Sequence, residues 1–195
     1  MKTRIFFVVL MATMILPGFF ISCSPDMSHE LQTIDSLKTQ VQNAKKDFMS
    51  IDTQRISQIN ETALKNLTAI KNMYQPGDTL TMEIGQRITS YKGFKKAGMK
   101  MSGMRKTLRE EFTYTEQQLN NLANDIKNHT LNPDSVKVYL KTETEATMRL
   151  LSSYQAYKQT HDQAIKDFDS LNPIIENMIR EQELKKLAAL INEKN

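Results

Sequence analysis

No tryptophan occurs in these 195 residues, and Cys23 is the only thiol. A single cysteine excludes an internal disulfide and any site built from several thiolates. Only 6 glycines and 5 prolines are present, so the chain has few places to turn. Strand-type alternation of apolar and polar residues is missing throughout, which argues against a sheet. The three histidines, His29, His129 and His161, lie far apart, and no two stand at helical ligand spacing. A di-metal bundle would carry Glu-x-x-His on facing helices, and that motif is missing too. So are a Gly-rich phosphate loop and a nucleophilic Ser elbow. This inventory supplies no catalytic set, no metal site and no cofactor site, so enzyme activity is not expected.

Residues 1–23 carry the most specific signal. Lys2 and Arg4 make a short basic start, and Ile5 to Ser22 is almost purely apolar until Pro17-Gly18 interrupts it. Phe20-Ile21-Ser22-Cys23 then closes the run with a small residue before the thiol. This arrangement resembles the lipobox leader of bacterial lipoproteins, with Phe20 where that family usually has Leu. The resemblance implies diacylglycerol on the Cys23 sulfur, cleavage before Cys23 and an acyl chain on the new amine. Several acyl chains meet the physical requirement for stable anchoring. Ser24, by resemblance to enteric lipoproteins, implies export to the outer membrane. Two rival readings share these residues. An uncleaved anchor needs a continuous spanning helix, which Pro17-Gly18 disfavours. An ordinary cleaved signal would leave Cys23 as a free, reactive thiol.

Removing residues 1–22 takes away Lys2 and Arg4, so 24 basic residues face 22 acids. The remainder is near neutral, and the global positive charge of a nucleic-acid-binding protein is absent. The expected organisation is a signal peptide over 1–22, a lipidated N-terminus and short tether over 23–30, and one helical-bundle domain over 31–195. Pro25, Pro76, Pro133 and Pro173 divide the chain after the leader. Gln75-Pro76-Gly77-Asp78 has the central residues of a type II turn, with Asp78 placed to cap the next helix. Asn132-Pro133-Asp134 pairs a cap with a first-turn proline and an acid, and Asn172-Pro173 repeats the cap and proline.

Between these marks apolar residues recur at three- and four-residue steps. Leu31, Ile34, Val41, Ala44, Phe48, Ile51, Ile59, Ala63, Leu67, Ile70 and Tyr74 form one stripe, which Arg55 interrupts. Further stripes include Ile84 to Ile126, then Val136, Leu140, Met148, Leu151, Tyr154, His161, Ile165 and Phe168, then Ile175, Ile179, Leu187, Leu190 and Ile191. The spacing predicts helices over about 31–74, 79–130, 133–171 and 173–193. One narrow stripe per helix needs neighbours to cover it. The expected fold is all-α: an elongated antiparallel three-helix bundle or coiled coil with a shorter fourth segment. That segment either folds back or extends the third helix past Pro173.

Residues 84–109 are unusual. They hold eight cations, including Lys92, Lys95, Lys96, Lys100 and Arg105, with no acid. Gly85, Gly93, Gly98 and Gly103 lie among them, although each interior glycine weakens a helix by about 0.8–1 kcal/mol relative to alanine. One reading is close helix approach, with Gly98 on the core side and the lysines solvated. The other is a cationic, Met-lined surface for an anionic lipid or glycan, with Lys92, Lys95, Lys96, Lys100 and Arg105 as its contacts. Asp-Ser/Thr-apolar triplets at Ser36, Thr79, Ser135 and Ser170 resemble an O-glycosylation sequon used by some Gram-negative anaerobes, and also resemble helix starts.

Taken together, the residues point to a lipid-anchored cell-envelope protein with a coiled-coil interaction or spacer role. The mature part resembles the small coiled-coil lipoproteins of bacteria. The expected partners are the membrane, through the N-terminal lipid, and a protein or second copy, through the helices. The alternative is a ligand-binding lipoprotein that uses segment 84–109.

Overall fold

The computed structural model describes residues 26–73 and 81–192, except for the side chain of Lys95. The leader with Cys23, Tyr74, the 75–78 turn and Thr79 lie outside the described residues. Four helices make up the architecture: α1 Ser28–Ser50, α2 Thr53–Met73, α3 Met82–Lys127 and α4 Pro133–Asn192. No strand occurs among the described residues, so the chain is all-α.

Helices α1 and α2 each pack on both α3 and α4, but not on each other. They follow one another along a single arm, and the cross-section is therefore three helices. Cross-links fix the directions. Lys45 meets Glu116 and Asn66 meets Tyr91, so the first arm and α3 run antiparallel. Asp47 meets Lys158 and Asn66 meets Asn172, so the first arm and α4 run parallel. At 1.5 Å per residue the 46-residue α3 is about 70 Å long. This is the expected elongated bundle.

The first arm differs from the expected single helix over 31–74. Buried residues Ile34, Val41 and Phe48 are seven apart, and so are Ile56, Ala63 and Ile70, yet Phe48 to Ile56 spans eight. An unbroken helix would carry Arg55, not Ile56, into the seam. The chain absorbs the extra residue by leaving the helix at Ile51-Asp52. Several of the polar groups released there find partners. Asp52 Oδ1 accepts the N–H groups of Gln54 at 2.8 Å and Arg55 at 3.3 Å, a side-chain cap for α2. The Phe48 carbonyl accepts from Arg105 Nη1 at 3.3 Å, and His161 Nε2 lies 3.0 Å from the Asp52 carbonyl. Arg55 turns outward, pairs with Asp169 and covers the Phe168 ring.

Two aromatic clusters fill the core. Phe48 lies 5.4 Å from Phe112 and 5.6 Å from Tyr157 between ring centroids, with Tyr154 against its edge. Farther along, Tyr91, Phe94 and Phe168 form a second group. Beside it, Asn66 Nδ2 donates to Tyr91 Oη at 2.9 Å and to Asn172 Oδ1 at 3.1 Å, and Tyr91 donates to Asn172 Oδ1 at 2.5 Å. This network joins all three arms and draws Asn172 inward rather than into a cap.

That use of Asn172 decides between the two arrangements expected past Pro173. Helix α4 runs unbroken for 60 residues with Pro173 inside it, so the fourth segment extends the third helix instead of folding back, without the expected restart at 173. Proline removes one ladder hydrogen bond at a cost of about 3 kcal/mol. Buried Phe168 and Ile175 hold the helix to its neighbours on either side of that turn. Helix α3 begins at Met82, capped by the Thr81 hydroxyl, and not at 79. It ends at Lys127, where His129 takes φ 54°.

The seam of α4 also lies one residue away from part of the expected stripe. Thr147 and Leu150 are buried while Met148 is exposed, and Leu187, Leu190 and Ile191 are exposed too.

Candidate functional site

The basic segment lies on α3, where helical geometry sorts its members by face. Lys92, Lys96 and Lys100 recur every fourth residue and are exposed, forming one outward row with Met99 among them. None of the three makes an ion pair among the described residues, whereas Arg87 pairs with Glu83 at 2.5 Å. A Cβ added at Gly85 or Gly103 would meet nothing within 4 Å, so these two glycines allow no close approach by a neighbouring helix. The side chain of Lys95 lies outside the described residues.

Arg105 does not join the lysine row. Its guanidinium lies 4.7 Å from the Phe48 ring centroid, and Nη1 donates to the Phe48 carbonyl. It thus reaches across to the end of α1 and fills a gap at the break. Gly98 is also on the inward side. A Cβ there would fall 1.8 Å from Asn60 Nδ2, so the Asn60 amide of α2 occupies the space a side chain would need.

Between Gly98 and Arg105, α2 and α3 enclose a cleft of about 560 Å³. Lys106 and Arg109 stand with Arg105 on its α3 wall, while Thr53, Ser57 and Asn60 face it from α2. Buried Met101 and Tyr157 form part of its lining. Asn60 Oδ1 is buried without a hydrogen-bond partner. No carboxylate pairs with Arg105, Lys106 or Arg109 among the described residues, although Glu110 also borders the cleft. A wider, open trough of about 1080 Å³ runs between α3 and α4 past Gly93, Ala97, Ala164 and Ser170.

Titratable groups elsewhere are tied to packing. The Lys158 ammonium, then the Tyr154 hydroxyl, holds the Asp47 carboxyl below the usual carboxylate range. Burial, then the Asp47 hydrogen bond, raises the Tyr154 phenol, and Asp47 in turn raises Lys158. Burial also pushes Tyr91 up. Glu143 is partly buried, and desolvation raises its carboxyl. His161 is buried, with Nδ1 2.9 Å from Asp162 Oδ1 on its own helix and Nε2 at the Asp52 carbonyl, so both ring nitrogens have a partner and one of them serves the helix break.

No group of three metal-ligating side chains occurs among the described residues, and none of their helices is long and apolar enough to cross a membrane. Ser36 and Ser170 are exposed and Ser135 is partly buried, while Thr79 lies outside the described residues. The Ser135 N–H donates to Asn132 Oδ1 at 2.8 Å, so this triplet sits in a capped first turn. Comparison with protein-family models, curated proteins and solved structures found no match.

Proposed function

We propose that this chain is a cell-envelope protein anchored by lipid at Cys23, in the outer membrane, whose bundle serves as a spacer with an interaction end. One observation about α4 carries the interaction part. Its buried seam steps regularly by fours and threes through Leu150, Tyr154, Tyr157, His161, Ala164, Phe168, Leu171, Ile175 and Met178. Continuing that seam would reach Gln182, Lys185, Ala189 and Asn192. The apolar residues beyond it are Leu184, Leu187, Leu190 and Ile191, off the seam and each more than half exposed.

Length gives the same division. Helix α4 has 60 residues against 46 for α3, and the two start together at the Asn128–Asn132 turn. The excess of 14 residues corresponds to an overhang of about 20 Å at the far end. Ser28, the start of α1 and the side from which a tether to Cys23 would leave, is at the opposite end from this overhang. A partner helix or another copy of the chain would cover the apolar face, and no nucleic acid is involved.

Two measurements test this reading. Cys23→Ala should move the protein from the membrane pellet to the soluble envelope fraction or leave unprocessed precursor. Unchanged detergent partitioning in that variant would rule out the anchor. Separately, Leu187→Glu should abolish concentration-dependent association in sedimentation while leaving the thermal midpoint nearly unchanged, because Leu187 lies outside the seam. Association that survives the substitution would remove the interaction end.

The outward row of Lys92, Lys96 and Lys100 favours a second reading, in which α3 approaches an anionic lipid or glycan.

A further inference from the structure

We propose that the cleft between α2 and α3, beside the α1–α2 break, binds a phosphate monoester carried on a sugar or other polyol. The proposal deepens the anion-binding reading by moving it from the outward lysine row to a different set of residues. Those residues are Arg105, Lys106 and Arg109, with Asn60 opposite.

Charge selects the anion. Three cations lie within little more than one helical turn, and Glu110 is the one acid on the cleft border, leaving a net charge of +2. A phosphate monoester carries about −1.5 to −2 at neutral pH and matches it, while a single carboxylate or a phosphodiester leaves positive charge unanswered. Arginine adds a fork of donors suited to phosphate oxygens. Arg105 spends one Nη1 contact on the Phe48 carbonyl, and its stacking on the Phe48 ring holds the guanidinium in place.

The opposite end selects what the phosphate is attached to. Because α2 and α3 run antiparallel, Asn60 lies beside Gly98, about two helical turns from Arg105. Its Oδ1 is a buried acceptor without a donor. Leaving such an atom unpaired carries a desolvation cost, and a turn of the amide toward the cleft that Asn60 borders would let a ligand hydroxyl remove it. The Ser57 and Thr53 hydroxyls continue the polar α2 wall between the two ends. Buried Met101 and Tyr157 give the same space an apolar surface for the carbon face of a sugar ring. A volume of about 560 Å³ lies within the roughly 300–1,000 Å³ of small-molecule sites. The cleft thus reads as phosphate at the break and hydroxyls toward Gly98.

The test titrates the whole chain with glucose 6-phosphate, glucose and inorganic phosphate, and with vesicles containing phosphatidylinositol 4-phosphate. The vesicles separate a phosphorylated lipid headgroup from a soluble sugar phosphate. Lys106 and Arg109 are exposed, so Lys106→Gln/Arg109→Gln should keep its helicity, whereas Arg105 is left intact because it packs on Phe48. The double variant should bind glucose 6-phosphate, or the vesicles, at least about tenfold more weakly. Lys92→Gln/Lys96→Gln/Lys100→Gln should bind as the parent does. Asn60→Ala should weaken glucose 6-phosphate and leave inorganic phosphate unchanged.

Loss of binding in the lysine-row variant, with none in the cleft variant, would overturn the proposal and return anion binding to the outer face. Inorganic phosphate binding as tightly as glucose 6-phosphate would overturn the sugar assignment. A chain that binds neither the sugar phosphate nor the vesicles at low salt would overturn it entirely. None of these outcomes bears on Cys23.

Discussion

Phe48→Ala should destabilise the bundle by about 3–5 kcal/mol, the range for removing a large buried aromatic side chain. Phe48 is fully buried and touches every arm: it belongs to α1, packs on Phe112 of α3, and meets Tyr154 and Tyr157 of α4. Its loss would also leave the Arg105 guanidinium without the ring on which it stacks. Collapse around the cavity is hindered because the helix ends two residues later, and the break is fixed by Asp52 and His161. Urea unfolding would read the change as a lower midpoint at an unchanged slope. A loss below about 1 kcal/mol would mean that the aromatic cluster at the break is not part of the cooperative core.

Gly98→Leu should cost about 1–3 kcal/mol through overpacking, since even the first carbon of a side chain would land on the Asn60 amide. Gly103→Ala, five residues further along the same helix, should instead gain about 0.8–1 kcal/mol. Its Cβ would meet open space, and alanine is the better helix former. Opposite signs from two glycines in one segment are the readout in thermal or chemical denaturation. Equal effects would show that α3 does not present Gly98 to α2.

The sequence made the fold class legible because apolar residues at three- and four-residue steps have one physical solution, helices covering each other's stripes. Arg55 was the clue to the divided first arm. It falls where an unbroken heptad would place a core residue, and the eight-residue step from Phe48 to Ile56 is the reason. Periodicity read within a tolerance of one residue passes over such a step. Pro173 left two arrangements open for a different reason. A proline after asparagine is a sound local boundary signal, but Asn172 is committed to Asn66 and Tyr91 on two other helices. A long-range contact of that kind leaves no mark in the local pattern. The same holds for Leu187, Leu190 and Ile191, whose spacing looks like core until one knows that α3 is 14 residues shorter than α4.

The candidate site was partly legible. Composition singles out segment 84–109, and the glycine spacing marks Gly98 as an inward position, which its contact with Asn60 supports. Which cations act together depends on the neighbour. Lys92, Lys96 and Lys100 share a face by simple helical spacing, but Lys106 and Arg109 become partners of Arg105 only because α2 starts opposite them. That start is set by the Ile51-Asp52 break.

The break also sets how the molecule yields. With no contact between α1 and α2, the bundle is two blocks sharing the continuous helices α3 and α4. One block is closed around Phe48, the other around Tyr91 and its asparagines. Either half of the first arm can detach as a sub-global opening without pulling the other away, because the two halves are joined directly by only two non-helical residues. Loosening of α2 would open the cleft wall that carries Asn60, while α1 stayed docked.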